Sequence, residues 1–252
     1  MIVLQGMEHY TKTFMALEYE PLTVTARLVK NTQVVAYEPP PYLDGLLAWA
    51  VLQVVTAGQG VPQNTPDPYW IPLPLRCLWV SAEELPLWAA SVFMPQSDVI
   101  HDTTYVHKRN PLGEFSQSAR WNTKAGRWME RRRPLPTIGC DVWQARCIGN
   151  WEWVERLLVQ NVAFLGKARG IGFGEVADWE VIPAAFESPL VDGGKLVHAL
   201  PEDFPDKPHI TESPRRVGWT PPQWKRSLFS AGWPVGTPIA STDWFSDLPD
   251  TV

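Results

Sequence analysis

A chain of 252 residues with 45% apolar content is long enough for one large domain, or one domain carrying a substantial insertion. Its formal charge of −5 excludes a uniformly basic coat, and no apolar run reaches the length of a membrane-spanning helix. Three cysteines (Cys77, Cys140, Cys147) without a CxxC pair point to neither a disulfide framework nor a zinc site.

The N-terminal stretch has no basic leader, long apolar segment or small-residue cleavage site, so a cytoplasmic location is expected. Residues 22–28 (LTVTARL) alternate apolar and polar, the period of a half-buried strand, and residues 34–36 can pair back on it. Asp44 is placed to cap a helix over 45–55 that is apolar on most sides, hence buried. A Gly-, Pro- and Asn-rich loop over 57–70 follows. Residues 73–80 and 88–94 are the next strands, with a turn at 81–86 between them.

Residues 95–139 break the rhythm, being polar, basic and poor in aliphatics, which reads as an inserted hairpin or mobile loop without a core of its own. Between His101 and Arg133 eight cations face three acids, so this stretch carries +5 and the remainder −10. That asymmetry predicts one basic face on an acidic body. A strand at 142–148 follows. Asn150 then caps a helix whose apolar face is Val154, Leu157, Leu158, Val162 and Leu165, with Gly166 ending it. Residues 176–182 form the last core strand.

The region 184–252 is rich in proline and weakly periodic, with a hairpin expected around Asp192-Gly193-Gly194. Trp219, Trp224, Phe229 and Trp233 would anchor it on the core, since tryptophan more often packs than binds. The 25 prolines rule out an all-helical chain. The predicted class is therefore α+β, with a ferredoxin-like (RRM-like) β-α-β-β-α-β core over 1–94 and 140–183. A basic thumb-like insertion (95–139) and an irregular C-terminal extension packed on the core (184–252) complete it.

The chemistry concentrates in residues 166–174. Gly166, Gly170, Gly172 and Gly174 permit positive φ and close approach of a ligand to the main chain. Converging amides there can hold an anion, and Lys167 and Arg169 add charge suited to a phosphate backbone. A helix before and a strand after exclude the dinucleotide-binding loop, and the absence of Gly-Lys-Ser/Thr excludes a Walker loop. Glycine spacing by itself is equally compatible with a tight crossover from Leu165 to Glu175.

FLGKARGIGFGEVADWEV (164–181) resembles the C-terminal glycine-rich signature of the RAMP superfamily, the RNA-binding ferredoxin-like proteins of CRISPR–Cas systems. PLTVTARL (21–28) and YLDGLLAWAV (42–51) resemble the first strand and helix of those proteins. With its insertion and tail, the chain looks most like the subunit of type IV effectors that caps the five-prime handle of the guide RNA (crRNA). The resemblance implies a non-catalytic role without cofactor or metal. It implies as partners the guide RNA and the neighbouring backbone and large subunits, with target DNA as a further contact and no membrane. It places guide contacts on Gly166, Lys167, Arg169, Gly170, Gly172 and Gly174. More loosely, it extends them to Lys108, Arg109, Arg120, Arg127, Arg131, Arg132 and Arg133 of the insertion. Arg120-Trp121 and Arg127-Trp128 interleave cations with aromatics, as a nucleic-acid groove does.

The alternative is a metal-independent endoribonuclease that processes precursor crRNA, with His101 and His107 flanking Tyr105 as the acid–base candidates. A scaffold binding only proteins through its tryptophans is the third reading. No histidine spacing supports a metal.

Overall fold

Leu22, Val24 and Ala26 are fully buried on one face of the strand that their alternation predicts. The computed structural model describes residues 2–3, 7–35, 39–59, 69–96, 98–108, 131–205, 207–223 and 225–240. Its elements in chain order begin with β1 (Ile2–Val3), α1 (Met7–Met15), β2 (Glu20–Leu28), β3 (Val34–Val35), α2 (Leu43–Val55) and β4 (Tyr69–Trp70). Then come β5 (Cys77–Val80), β6 (Pro86–Trp88), β7 (Met94–Pro95), β8 (Ile100–Lys108), β9 (Arg131–Gly139), β10 (Val142–Gly149) and α3 (Trp151–Asn161). After them lie β11 (Val176–Pro183), β12 (Val191–Asp192), β13 (Lys195–Leu196), β14 (Leu200–Pro201), β15 (Arg215–Val217) and β16 (Ser230–Trp233). The fold is mixed α/β, with several antiparallel sheets and three α-helices among the described residues.

The central sheet has the order β11-β2-β10-β7, with every neighbouring pair antiparallel. α2 packs on α3, and α3 on β11. One large apolar cluster joins sheet and helices, including Trp143 and Trp179 from the strands and Phe14 from α1. Helix α1 was not expected from the sequence; its Phe14 and Tyr10 meet Trp153 edge-on at 5.3 and 6.3 Å. A second cluster, built mainly from the C-terminal region, holds Leu200, Phe204, Trp219 and Trp233. Trp219 and Trp233 are buried in this second cluster instead of in the main one, Phe229 is half-buried, and Trp224 lies outside the described residues. The expected glycine turn at 193–194 does join a hairpin, β12 with β13.

Three boundaries depart from expectation. The segment predicted as a strand over 88–94 runs along β10 irregularly, because it serves three neighbours. Its Ser91 hydroxyl accepts from Arg146 N, while Val92 N and Phe93 N donate to the carbonyls of Val197 and Pro41. The predicted strand over 73–80 shortens to β5, which pairs with β6 rather than joining the central sheet. Finally, α3 stops at Asn161, not at Gly166. Beyond it Val176 N donates to Ala163 O and Leu165 N to Gly174 O, so the strand's partners take the chain from the helix. Trp179 Nε1 fastens Val162 O at 2.8 Å, and Val162 and Leu165 reach the core from this extended stretch.

The hairpin expected within the basic insertion is present among its described residues. β8 and β9 pair over nine residues each, from Ile100 opposite Gly139 to Lys108 opposite Arg131. Pro134 and Pro136 lack amide donors and sit beyond the two residues of β9 that also pair with β3, an edge position that tolerates proline.

Candidate nucleic-acid interface

The glycine-rich segment leaves the core at an isolated bridge between Phe164 and Glu175 and returns through it, making a closed excursion. Gly166, Ala168, Gly172 and Gly174 all have positive φ, and Arg169–Ile171 makes one 3-10 turn between Ala168 and Gly172. Its glycines divide into two kinds. At Gly174 (φ +70°) an added Cβ would stand 1.9 Å from Leu165 O, so this glycine is demanded by the closure of the loop. At Gly170 the φ is ordinary and nothing lies within 4 Å of the Cβ position. The fold gives no reason for glycine there, and the bare backbone faces open space. Lys167, just before the turn, and Arg169, its first residue, are exposed.

The connection from β2 to β3 joins this loop to the basic insertion. Thr32 Oγ1 donates to Gly172 O at 3.0 Å, and Gly174 N donates to Gln33 O at 2.8 Å. One residue later Val34 pairs with Ile138 and Val35 with Thr137, at the base of the β8–β9 arm. Two features separated in the sequence by β10 and α3 therefore share one junction. Lys30 and Asn31 (φ 67°) are exposed at this junction, and the sequence reading did not single them out. A Lys-Asn turn between two strands was the available signal.

Along the arm, His101, Thr103, Tyr105 and His107 alternate onto one face, opposite Ile138, Pro136, Pro134 and Arg132. That face is exposed, and the Arg132 guanidinium lies 3.9 Å from the Tyr105 ring centroid. The other face turns inward at Leu135 and Thr137. Register sets Lys108 across from Arg131, His107 across from Arg132 and Val106 across from Arg133, so the cations gather towards one end of the ribbon. Arg109, Arg120 and Arg127 lie outside the described residues. His101 and His107 are six positions apart on one extended strand, about 20 Å along it. The arm thus keeps the two histidines apart instead of pairing them on one phosphodiester.

Between α2 and the chain leaving α3 lies a groove of about 550 Å3, with Pro41, Leu46, Trp49 and Phe164 among its walls. Lys167 and Arg169 line it too, and the Arg169 guanidinium stands 4.6 Å from the Trp49 ring centroid. The glycine-rich loop is consequently one rim of an aromatic-lined groove.

Asp44 is not the helix cap expected of it. Tyr42 holds the N-cap position of α2 without a side-chain cap, and Asp44 is fully buried in the first turn. Its Oδ1 accepts from Gly45 N and from Gln223 Nε2, both at 2.8 Å, while Oδ2 lies 3.3 Å from His198 Nε2. His198 Nδ1 donates to Ala199 O at 2.7 Å, which turns Nε2 towards the Asp44 carboxyl. Burial, with the Asp44 carboxyl beside it, pushes the Tyr42 phenol well above its ordinary range and keeps it neutral. This seam fastens α2 to the C-terminal region.

Burial alone pushes the Cys147 thiol far up, and burial likewise brings Cys77 up to about 11. Both thiols stay protonated at neutral pH and unsuited to nucleophilic work. No cluster of metal-ligating side chains occurs among the described residues. No helix among them is long and apolar enough to cross a membrane.

No protein-family model matches the sequence, and no curated protein matches it. Among solved structures, one similar chain belongs to the cryo-EM structure of the Type III-B Cmr-beta bound to cognate target RNA. The likeness has a TM-score of 0.31 at 14% identity, covering 72% of this chain and 69% of that one.

Proposed function

We propose that this protein is a non-catalytic RNA-binding subunit of a CRISPR effector complex that holds guide RNA on the glycine-rich loop and the adjoining basic arm. The observation that carries the reading is the junction at Thr32, Gln33 and Val34, where the exposed loop and the base of the arm meet. A phosphate backbone crossing that junction would pass the bare main chain at Gly170, the cations Lys30, Lys167 and Arg169, and then the cationic ribbon.

The ferredoxin-like reading of the core is supported by the antiparallel order β11-β2-β10-β7. In chain order, the central-sheet strand that precedes α2 (β2) and the one that follows α3 (β11) lie side by side. The RAMP-like glycine signature lies between α3 and β11, which supports the family resemblance. Within that family the arm and the C-terminal region favour the subunit that caps the five-prime handle in type IV complexes, in the cytoplasm, beside backbone and large subunits. The wide separation of His101 and His107, and the protonated buried thiols, favour binding over cleavage.

The test is guide-RNA binding by Lys167→Glu/Arg169→Glu. Affinity is expected to fall by at least an order of magnitude at physiological salt, with a shallower salt dependence. Unchanged affinity would remove the loop from the interface. Incubation with precursor repeat RNA in EDTA is expected to leave the RNA intact, and site-specific cutting would overturn the non-catalytic reading.

A further inference from the structure

The groove behind the loop has the chemistry to take a base as well as a backbone, and its walls are contributed by three distant parts of the chain. Pro41, Leu46 and Trp49 come from α2 and the turn before it, Phe164 from the chain leaving α3, and Gln223 from the C-terminal region. At about 550 Å3 it is in the size range of small-molecule sites, which run from about 300 to 1,000 Å3.

Its polar groups are few and fixed. Asp44 Oδ1 takes the Gln223 amide N–H at 2.8 Å, which sets which way the amide points. The Gln223 carbonyl oxygen then lies over Gly45, at 2.6 Å from where a Cβ would stand, so a glycine at the start of α2 makes room for it. The buried seam described above therefore presents a hydrogen-bond acceptor on the groove wall. Asn161 supplies a second amide along the same lining. On the rim, Arg169 lies over the Trp49 ring, a flat cationic surface on an aromatic one.

An apolar slot with an aromatic wall, an oriented amide acceptor and two cations at its rim matches one class of occupant: a nucleotide whose base enters while its phosphate stays outside. We infer that the groove receives one unstacked base of the bound RNA strand. The Gln223 carbonyl oxygen accepts from an amino or imino edge of that base, and Lys167 and Arg169 hold its phosphate. This rests on the RNA reading above and adds to it a base-holding step that a pure backbone cradle would lack.

The experiment compares the intact protein's affinity for short homopolymeric RNAs of A, C and U with its affinity for an abasic ribose-phosphate chain of equal length. At least one homopolymer is expected to bind about tenfold more tightly than the abasic chain. Trp49→Leu and Gln223→Leu, each checked for an unchanged melting temperature, are expected to bring the two affinities together. Because the RNA itself is varied, the wild-type comparison stands even if a variant unfolds. Equal wild-type affinity for base-bearing and abasic chains would overturn base capture while leaving backbone binding intact. Failure to bind either would instead defeat the RNA reading and this inference with it. Competition by free AMP as strong as by the oligonucleotides would assign the groove to a mononucleotide and overturn capture of an RNA base.

Discussion

The buried seam around Asp44 and the exposed arm around Arg132 use charge in opposite ways. In the seam Asp44 is matched within the chain by Gln223 and His198, and His198 by Ala199. Its partners lie 154 and 179 positions away, and all are shielded from water. On the arm Arg132 and Arg133 stand exposed, and the Arg132 guanidinium lies against the Tyr105 ring. Charge matched inside holds the molecule together, whereas charge displayed outside awaits an anion from elsewhere. Substitutions should therefore sort cleanly into those that change stability and those that change binding.

The largest effect on stability is expected from Asp44→Ala. It strands Gln223 and His198 in the interior and should cost about 3–5 kcal/mol, the range for breaking a buried pair, read from urea unfolding. A loss below about 1 kcal/mol would show that the seam is incidental to the attachment of the C-terminal region.

Next in size is the contrast between two glycines of one loop. Gly174→Ala forces a side chain onto Leu165 O at positive φ and should destabilise by roughly 2–4 kcal/mol. Gly170→Ala meets nothing within 4 Å and should leave stability within about 0.5 kcal/mol. It should nevertheless weaken RNA binding, because the methyl group stands where the strand approaches. Equal effects of the two substitutions on both measurements would dissolve the distinction drawn between them.

The smallest stability effect belongs to the arm. Arg132→Ala/Arg133→Ala should change unfolding free energy by no more than about 0.5 kcal/mol, since both residues are exposed. The same pair should lower guide-RNA affinity and reduce the slope of log affinity against log salt by about 1 to 2. A lowered melting temperature with unaltered salt slope would make the arm a structural element instead.

Much of this architecture could be read from local pattern. The alternation of Leu22, Val24 and Ala26 and the Asn150 cap, whose side chain accepts from Trp153 N, act within a few residues and were legible. So was the glycine turn of β12 and β13. What escaped depends on partners remote in the chain. Asp44 looks like a cap by position, and only Gln223 and His198 reveal its burial. The end of α3 was misplaced because Val162 and Leu165 keep a helical apolar spacing while the backbone around them pairs with β11. Pro134 and Pro136 hid a nine-residue strand, since proline argues against strands except at edges. For the candidate site, the glycines and cations were visible, but the junction through Thr32 and Gln33 was not. Neither was the groove, whose walls meet only after folding.

The central claim is that RNA lies against the main chain of the glycine-rich loop. Amide hydrogen exchange of the protein, with and without guide RNA, tests it most directly. Peptides covering residues 166–172 should exchange more slowly in the complex, together with those of the β8–β9 arm, while those of β5 and β6 stay unchanged. Unaltered exchange across 166–172 at saturating RNA would contradict the account.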